Sequence, residues 1–414
     1  MRRWLPAVLR SEPRFALLFW GQALSVIGDR VTFVALPFAV LSIGGSTADV
    51  GVVVAASTVP FAVFSLAGGV WADRRDRRLV MLVSDVVRLA TLGGAAILLL
   101  AHHAEVWQLA VLFAFYGTAD AFFSPAVIGL IPLVVDDPDR YQEANALRSL
   151  TMSFGMVAGP ALAGALVALW GPGGALALDA GTFAVSAACL ARLRPRAAAE
   201  RLAEHTGSFL HELRGGFREV RSRQWVWTSL IAMGAYHMVV LPSVYVLGPV
   251  LFENEHGGAP DWAIVTVAFG LGSIAGDVIS LRVRPQRPMF VGACGLLVAS
   301  TQALIIGSGF GVWAIAALEA VTGIGVSLFF TLWETSLQEH IPGHAISRVS
   351  SFDYLVAAGL MPIGVLLAGP VSDSVGLHRT LHVMTFIAVP LMLALVAVPS
   401  VRALRRPPAA PGRA

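Results

Sequence analysis

The sequence predicts an all-α integral membrane protein with about twelve transmembrane helices in two six-helix bundles. Three observations carry this. Of the 414 residues, 56% are hydrophobic and 13% are charged, whereas a water-soluble chain carries about 25% charged residues. So little charge cannot cover a soluble surface, and the remaining apolar surface must face lipid. The apolar residues also come in long unbroken runs, such as AVLFAFYGTADAFFSPAVIGLIPLVV from Ala110 to Val135. A β-barrel would instead give roughly ten-residue alternations of apolar and polar residues. Finally, a helix needs roughly 20 apolar residues to cross the hydrocarbon core, and the chain holds about a dozen such runs with short loops between them.

In chain order the runs place helices at approximately 15–43, 49–72, 79–101, 106–134, 145–170 and 173–193. A second set falls at approximately 225–251, 262–281, 289–308, 312–338, 347–371 and 376–399. Each is long enough to span. The run after Arg2, Arg3, Arg10 and Arg14 is too long for a signal-peptide core and reads as a retained first helix. The one long polar connection divides the chain into residues 1–194, a linker 195–224, and residues 225–414 with a short basic tail. Within the linker, Phe209, Leu213 and Phe217 recur every four residues, and Arg214, Arg218 and Arg221 form a second stripe. That pattern predicts an amphipathic helix on the inner membrane face.

Arginine placement predicts orientation. The N-terminus, the turns at 73–78, 136–140 and 282–287, the linker, Arg348 and the tail residues Arg402, Arg405 and Arg406 share one side. The loops at 44–48, 102–105, 252–261 and 372–378, and those around 172 and 309, lie opposite, with Arg379 at the far end of the last. Both termini and the linker are therefore expected on the cytoplasmic side of a membrane that the chain crosses many times.

Composition also excludes functions. All 29 Lys+Arg residues are arginine. A P-loop needs its lysine to hold phosphates, so an ATP-driven pump is not expected of this chain alone. HExxH and GxSxG are missing from the sequence, and no other convergent catalytic set is recognisable, so an enzyme is not expected. A sensor would need a soluble output domain that the linker is too short to supply. His102, His103, His340 and His344 fall at expected helix ends, and no metal site is assigned to them. Cys189 and Cys294 lie within separate apolar runs and read as buried free thiols.

Two segments resemble known signatures. The turn after the second helix reads GVWADRRDRR, from Gly69 to Arg78. It resembles the GxxxDRxGRR motif A of the major facilitator superfamily at Gly69, Asp73, Arg74, Arg77 and Arg78, with Asp76 where the family has glycine. If that position is left-handed, Asp tolerates it better than most residues. The segment GSIAGDVISLRVRPQR, from Gly272, is a degraded echo in the second half, as repeated six-helix halves would leave. The fifth helix carries GMVAGPALAG, which resembles the antiporter-associated motif C at Gly155, Gly159, Pro160 and Gly164. The phrases GQALSVIGDR, YGTADAFFSPA and WETSLQEH look like a bacterial branch of macrolide and siderophore exporters. The resemblance implies the major facilitator fold, alternating access, and a role for motif A in bridging the two halves. Asp85 and Arg88, three apart on the third helix, share one face and either join that network or pair with each other. The arginine that many proton-coupled members carry in the fourth helix is missing from FAFYGTADAFFSPA.

In this superfamily the first, fourth, seventh and tenth helices line the central cavity. Each has an ionisable residue inside its span: Asp29 and Arg30, Asp120, His237 and Glu319. A charge at the helix centre costs about 2.5–3.5 kcal/mol on insertion scales, so these are proton-coupling and cavity candidates. Arg30 is expected to reach Asp120. A fixed ion network of Asp29, Arg30 and Asp120 fits the same pattern, as does a hydrogen-bonded core histidine at His237. Asp179 stays unassigned, and Arg148, Asp277, Glu334 and Asp353 read as structural. Among the aromatics of these helices, Phe33, Tyr116, Tyr236 and Trp333 are the expected substrate-lining residues.

The resulting expectation is a secondary transporter that exports small amphipathic molecules in exchange for protons. It would use a proton gradient rather than a cofactor, with a small-molecule substrate, the lipid bilayer, no nucleic acid and no obligate protein partner. An uncoupled or proton-symporting importer of a metabolite is the alternative, and a non-transporting sensor is remote.

Overall fold

The computed structural model describes residues 6–74, 76–194 and 217–406, which are helices and connecting turns with no strand among them. Eleven of the described helices are long and apolar enough to cross a membrane. One of them, Tyr141–Arg192, runs 52 residues. At 1.5 Å per residue it would extend about 78 Å, more than twice the roughly 30 Å hydrocarbon core. Gly171 resolves the excess. Its φ of 69° and ψ of 174° lie outside the helical region and break the segment into two helices, in a backbone conformation that glycine adopts without a steric penalty. Twelve spans result, as expected from the apolar runs. We number them α1 (Pro13–Ser42), α2 (Thr47–Arg74), α3 (Arg77–Leu100), α4 (Val106–Val134), α5 (141–170), α6 (172–192), α7 (Gln224–Glu255), α8 (Ala259–Arg282), α9 (Pro288–Ile306), α10 (Val312–His340), α11 (Gly343–Val375) and α12 (Leu377–Ala397). Most of the linker expected to be amphipathic lies outside the described residues.

Local sequence sets several ends. Pro13 opens α1, where its missing N–H costs nothing. Ser46 and Asp49 cap α2, with the Ser46 N–H donating to Asp49 at 2.8 Å. Asp76 does not take up a left-handed conformation. It is extended (φ −62°, ψ 108°) and its carboxylate accepts from the N–H groups of Arg78 and Leu79, which makes it the N-cap of α3. Glu105 and Gln108 form a capping box at α4. In α7 the backbone widens to π-helix at Tyr236–Val240 and Ser243–Leu247, on either side of Pro242. Proline has no N–H to give, so an irregular ladder there has a local cause.

The chain forms two compact units. One contains residues 1–203 with 249–267 and 365–373. In it α1 and α3 pack on the α5–α6 pair, and α2 packs on α4. Phe15, Met81, Phe123, Leu130 and Leu190 belong to its core. The other contains 204–248, 268–364 and 374–414. Here α9 packs on α10, and Trp225, Met233, Leu296, Phe329 and Trp333 belong to the core. Close backbone approaches occur in both units. A Cβ on Gly117 of α4 would collide with the Ser57 carbonyl of α2, and one on Gly272 of α8 would collide with the Ala320 carbonyl of α10. Small residues at such crossings let helices meet without a hydrophobic drive. Large apolar side chains such as Trp20, Trp170, Trp313 and Phe386 are exposed, as lipid-facing surface requires.

Candidate functional site

Four helices of the first unit bring acids together, Asp85 and Asp179 fully buried, Asp29 and Asp120 half-buried. Asp29 comes from α1, Asp85 from α3, Asp120 from α4 and Asp179 from α6. Arg88, on α3, stands among them with 1% of its surface exposed. Its Nη2 lies 2.6 Å from Asp85 and its Nη1 lies 3.3 Å from Asp120. The flat guanidinium also lies over the rings of Phe123 and Phe183, at 3.9 and 4.4 Å, a cation–π arrangement that strengthens away from water. Its Nε is buried without a partner.

Neutral groups complete the network. Tyr116 donates its hydroxyl to Asp29 at 2.6 Å. Ser186 donates to Asp85 at 2.5 Å and accepts from Gln22 at 2.9 Å. Thr32 and Thr182 donate to Asp179 at 2.5 and 3.0 Å. Two of the four carboxylates, Asp85 and Asp120, thus contact the Arg88 guanidinium, and among the described residues it is the only cation seen to hydrogen-bond with any of the four. Buried charge without a counter-charge is costly.

A cavity of about 140 Å³ opens beside this cluster, bordered by Asp29, Arg88, Asp120 and Arg148 with Phe19 and Met152 among its apolar walls. Pockets for drug-sized ligands run to roughly 300–1,000 Å³, so a large ligand requires the cavity to widen. Phe33, Tyr116, Tyr236 and Trp333 are not among the described residues that border it. Phe33 is half-buried on α1, and Tyr116 is spent on Asp29. Trp333 is fully buried between Trp225 and Phe329, with its Nε1 donating to Asp353 at 3.1 Å.

Arg30 is not Asp120's partner; Arg88 holds that position. The stem of Arg30 lies instead against motif C. A Cβ on Gly155 would sit 3.2 Å from Val26 and 3.8 Å from the Cγ of Arg30, and one on Gly159 would run into the Arg30 Cβ and come within 3.1 Å of the Ile27 carbonyl. Pro160 is buried beside them. Gly164, further along, meets Ala259, Pro260 and Ala263 within the same unit. Motif C therefore forms the wall on which the Asp29–Arg30 segment lies.

Motif A is partly described. Gly69, Asp73 and Arg74 fall on the last turns of α2, and their side chains lie outside the described residues. Arg77 donates to the Gly129 carbonyl of α4 at 2.5 Å, and Arg78 donates to the carbonyls of Leu190 and Ala191 at 2.6 Å. These arginines tie the start of α3 to α4 and cap the end of α6, where carbonyls lack helical partners. Asp85 and Arg88 lie in the acid cluster rather than in this turn.

The second unit holds a smaller network. Glu319 is 2% exposed. Its Oε2 accepts from Gln302 at 2.9 Å and Thr322 at 2.7 Å, while Oε1 is buried without a partner. Tyr236, in the π-helical stretch, donates to Gln302 at 2.5 Å and so extends the chain to α7. His237 is separate from it: its Nδ1 lies 2.8 Å from the Met233 carbonyl, and its ring meets Phe330 edge-on. Among the described residues no group of three His, Cys, Asp or Glu side chains is arranged to hold a metal ion.

Comparison with known proteins places the chain. The profile of the Major Facilitator Superfamily matches residues 18–357. The chain belongs to this superfamily. It is a multi-pass membrane transporter of small molecules, not an enzyme. It is 26% identical over 413 residues to the multidrug efflux pump Tap of Mycobacterium tuberculosis, covering 96% of each chain. It is 23% identical over 374 residues to macrolide efflux protein A of Streptococcus pyogenes, covering 88% of this chain and 91% of that protein. The fold matches that of a bacterial homologue of the lysosomal transporter Spinster in its inward-facing, occupied conformation, with a TM-score of 0.73 at 14% identity, covering 98% of this chain and 100% of that one.

Parts of the transporter's buried network were not picked out from its sequence. The sequence assigns no role to Asp179 or to the neutral residues Gln22, Thr32, Thr182 and Ser186, and of the two readings of Asp85 and Arg88 the structure has the mutual pair, with Asp120 added. An Asp and an Arg three apart within an apolar run was the available signal for Asp85 and Arg88.

Proposed function

We propose that this transporter exports small amphipathic molecules across the bacterial cytoplasmic membrane in exchange for protons, by alternating access. One observation carries the proposal: Asp29, Asp85, Asp120 and Asp179 lie together with Arg88, which pairs with Asp85 and Asp120, beside a largely apolar cavity that Arg148 also borders. Four acids outnumber Arg88, Arg148 and the neighbouring Arg30 in this partly desolvated site, and protons or a cationic ligand offset the difference. A site that holds one at a time exchanges one for the other. Asp29 and Asp120 border the cavity, so they are the groups at which that competition takes place, while Asp85 and Asp179 are held by neighbours. Glu319, buried without a cationic partner, supplies a second candidate proton site. The efflux functions named for the relatives, and motif C against α1, support the outward direction. Arginine placement supports cytoplasmic termini.

The test uses everted membrane vesicles, a chemically varied compound panel, and an imposed pH gradient. Exchange predicts accumulation above equilibrium only when the vesicle interior is acidic. Equilibration that ignores the gradient would leave an uncoupled facilitator. Gradient-driven accumulation in right-side-out vesicles would leave a proton-symporting importer.

A further inference from the structure

A second cavity, of about 510 Å³, lies between α8 and α10 in the second unit, far in sequence from the acid cluster. Its polar lining is Asp277, Ser280, Arg284, Thr331, Thr335 and Arg406. Its apolar wall is Leu281, Val283 and Leu332, of which Leu281 is 79% exposed. A cleft with an exposed apolar wall in a membrane helix is bathed by lipid.

The polar groups are supplied with donors and short of acceptors. Arg284 is exposed and makes no ion pair or hydrogen bond with the described residues. The Ser280 hydroxyl is buried with no partner. Arg406 is fixed in place: its backbone N–H donates to the Gln286 carbonyl at 3.1 Å, and its Nε donates to Glu339 at 2.7 Å, which leaves the terminal nitrogens of its guanidinium. Asp277, the one acid in the lining, is engaged by the Ser327 hydroxyl. In sequence, Arg282 and Arg287 flank Arg284, and Arg402 and Arg405 precede Arg406. A guanidinium fork matches phosphate oxygens, and basic clefts between membrane helices at the arginine-rich face suit anionic headgroups.

We propose that this cleft seats an anionic phospholipid. Arg284, Arg406 and the Ser280 hydroxyl take the phosphate, and an acyl chain lies along Leu281 and Val283. The choice of an anionic lipid follows from Arg284 and Arg406 in the lining, which oppose the trimethylammonium of phosphatidylcholine.

The measurement is lipid retention by the purified full-length transporter, read by native mass spectrometry after equilibration with phosphatidylglycerol or phosphatidylcholine. The proposal predicts at least tenfold preferential retention of phosphatidylglycerol, lost in R284Q and partly kept in R284K. R284Q removes a side chain with no partner among the described residues, so its thermal unfolding is expected to match wild type. Equal retention of the two lipids, or unchanged preference in R284Q, overturns it. Displacement of phosphatidylglycerol by millimolar inorganic phosphate assigns the cleft to a soluble anion and overturns the lipid. None of these readouts depends on transport or its coupling, so this proposal and the proposed function fail separately.

Discussion

Removing the Arg88 side chain tests the acid cluster most sharply. Arg88→Met keeps the length and apolar bulk of the stem while deleting the guanidinium. Asp85, fully buried, then loses its 2.6 Å partner, and Asp120 loses its contact at 3.3 Å. Breaking a buried ion pair from one side costs about 3–5 kcal/mol, because a charge stays behind in a site that cannot solvate it. The lost stacking on Phe123 and Phe183 adds about 1–2 kcal/mol. Asp85→Asn in the same chain removes the stranded charge, so the double variant is predicted to recover about 2 kcal/mol or more relative to R88M. Equilibrium unfolding of purified protein in mixed micelles, run as a double-mutant cycle over wild type, R88M, D85N and R88M/D85N, gives the coupling. An R88M cost below about 1 kcal/mol, or coupling near zero, would refute the view that one guanidinium holds the cluster together.

Other outcomes follow from single contacts. Asp76→Ala removes the cap of α3 and is predicted to lower stability by about 0.5–2 kcal/mol, with Asp76→Asn close to wild type, by the same unfolding measurement. Gly159→Val drives a side chain into Arg30 and the α1 backbone, and a loss of about 1–3 kcal/mol is expected, together with reduced transport in vesicles. Glu319→Gln keeps the size of a side chain that already sits among Gln302, Thr322 and Tyr236. It is expected to fold normally in detergent yet lower gradient-driven export in vesicles; unchanged export would remove Glu319 from coupling.

The fold was legible because apolar run length is an additive signal, spread over the whole chain. Even the loop around 172 was evident, and Gly171 supplies the backbone conformation that makes it. Side-chain pairing was less legible. Asp120 was matched to Arg30 because both were thought to face one cavity. Pairing depends on helix rotation, and α1 turns the stem of Arg30 toward the glycines of α5. Trp333 was expected to line a pocket, but an indole with a reachable acceptor at Asp353 is equally at home in a core. The π-helical stretch at Tyr236 has only Pro242 as a sequence sign. Asp76 illustrates the reverse case: its departure from the motif is explained by capping once the backbone is known.

Direct measurement of proton movement on substrate addition tests the central claim. Proteoliposomes containing the transporter and an internal pH dye are given a transported compound from outside. Wild type is predicted to shift the internal pH as the compound enters, with the shift lost in D29N and D120N while downhill compound flux persists. Compound entry in wild type with no change in internal pH, or an undiminished shift in both variants, would contradict proton exchange at the cluster around Arg88.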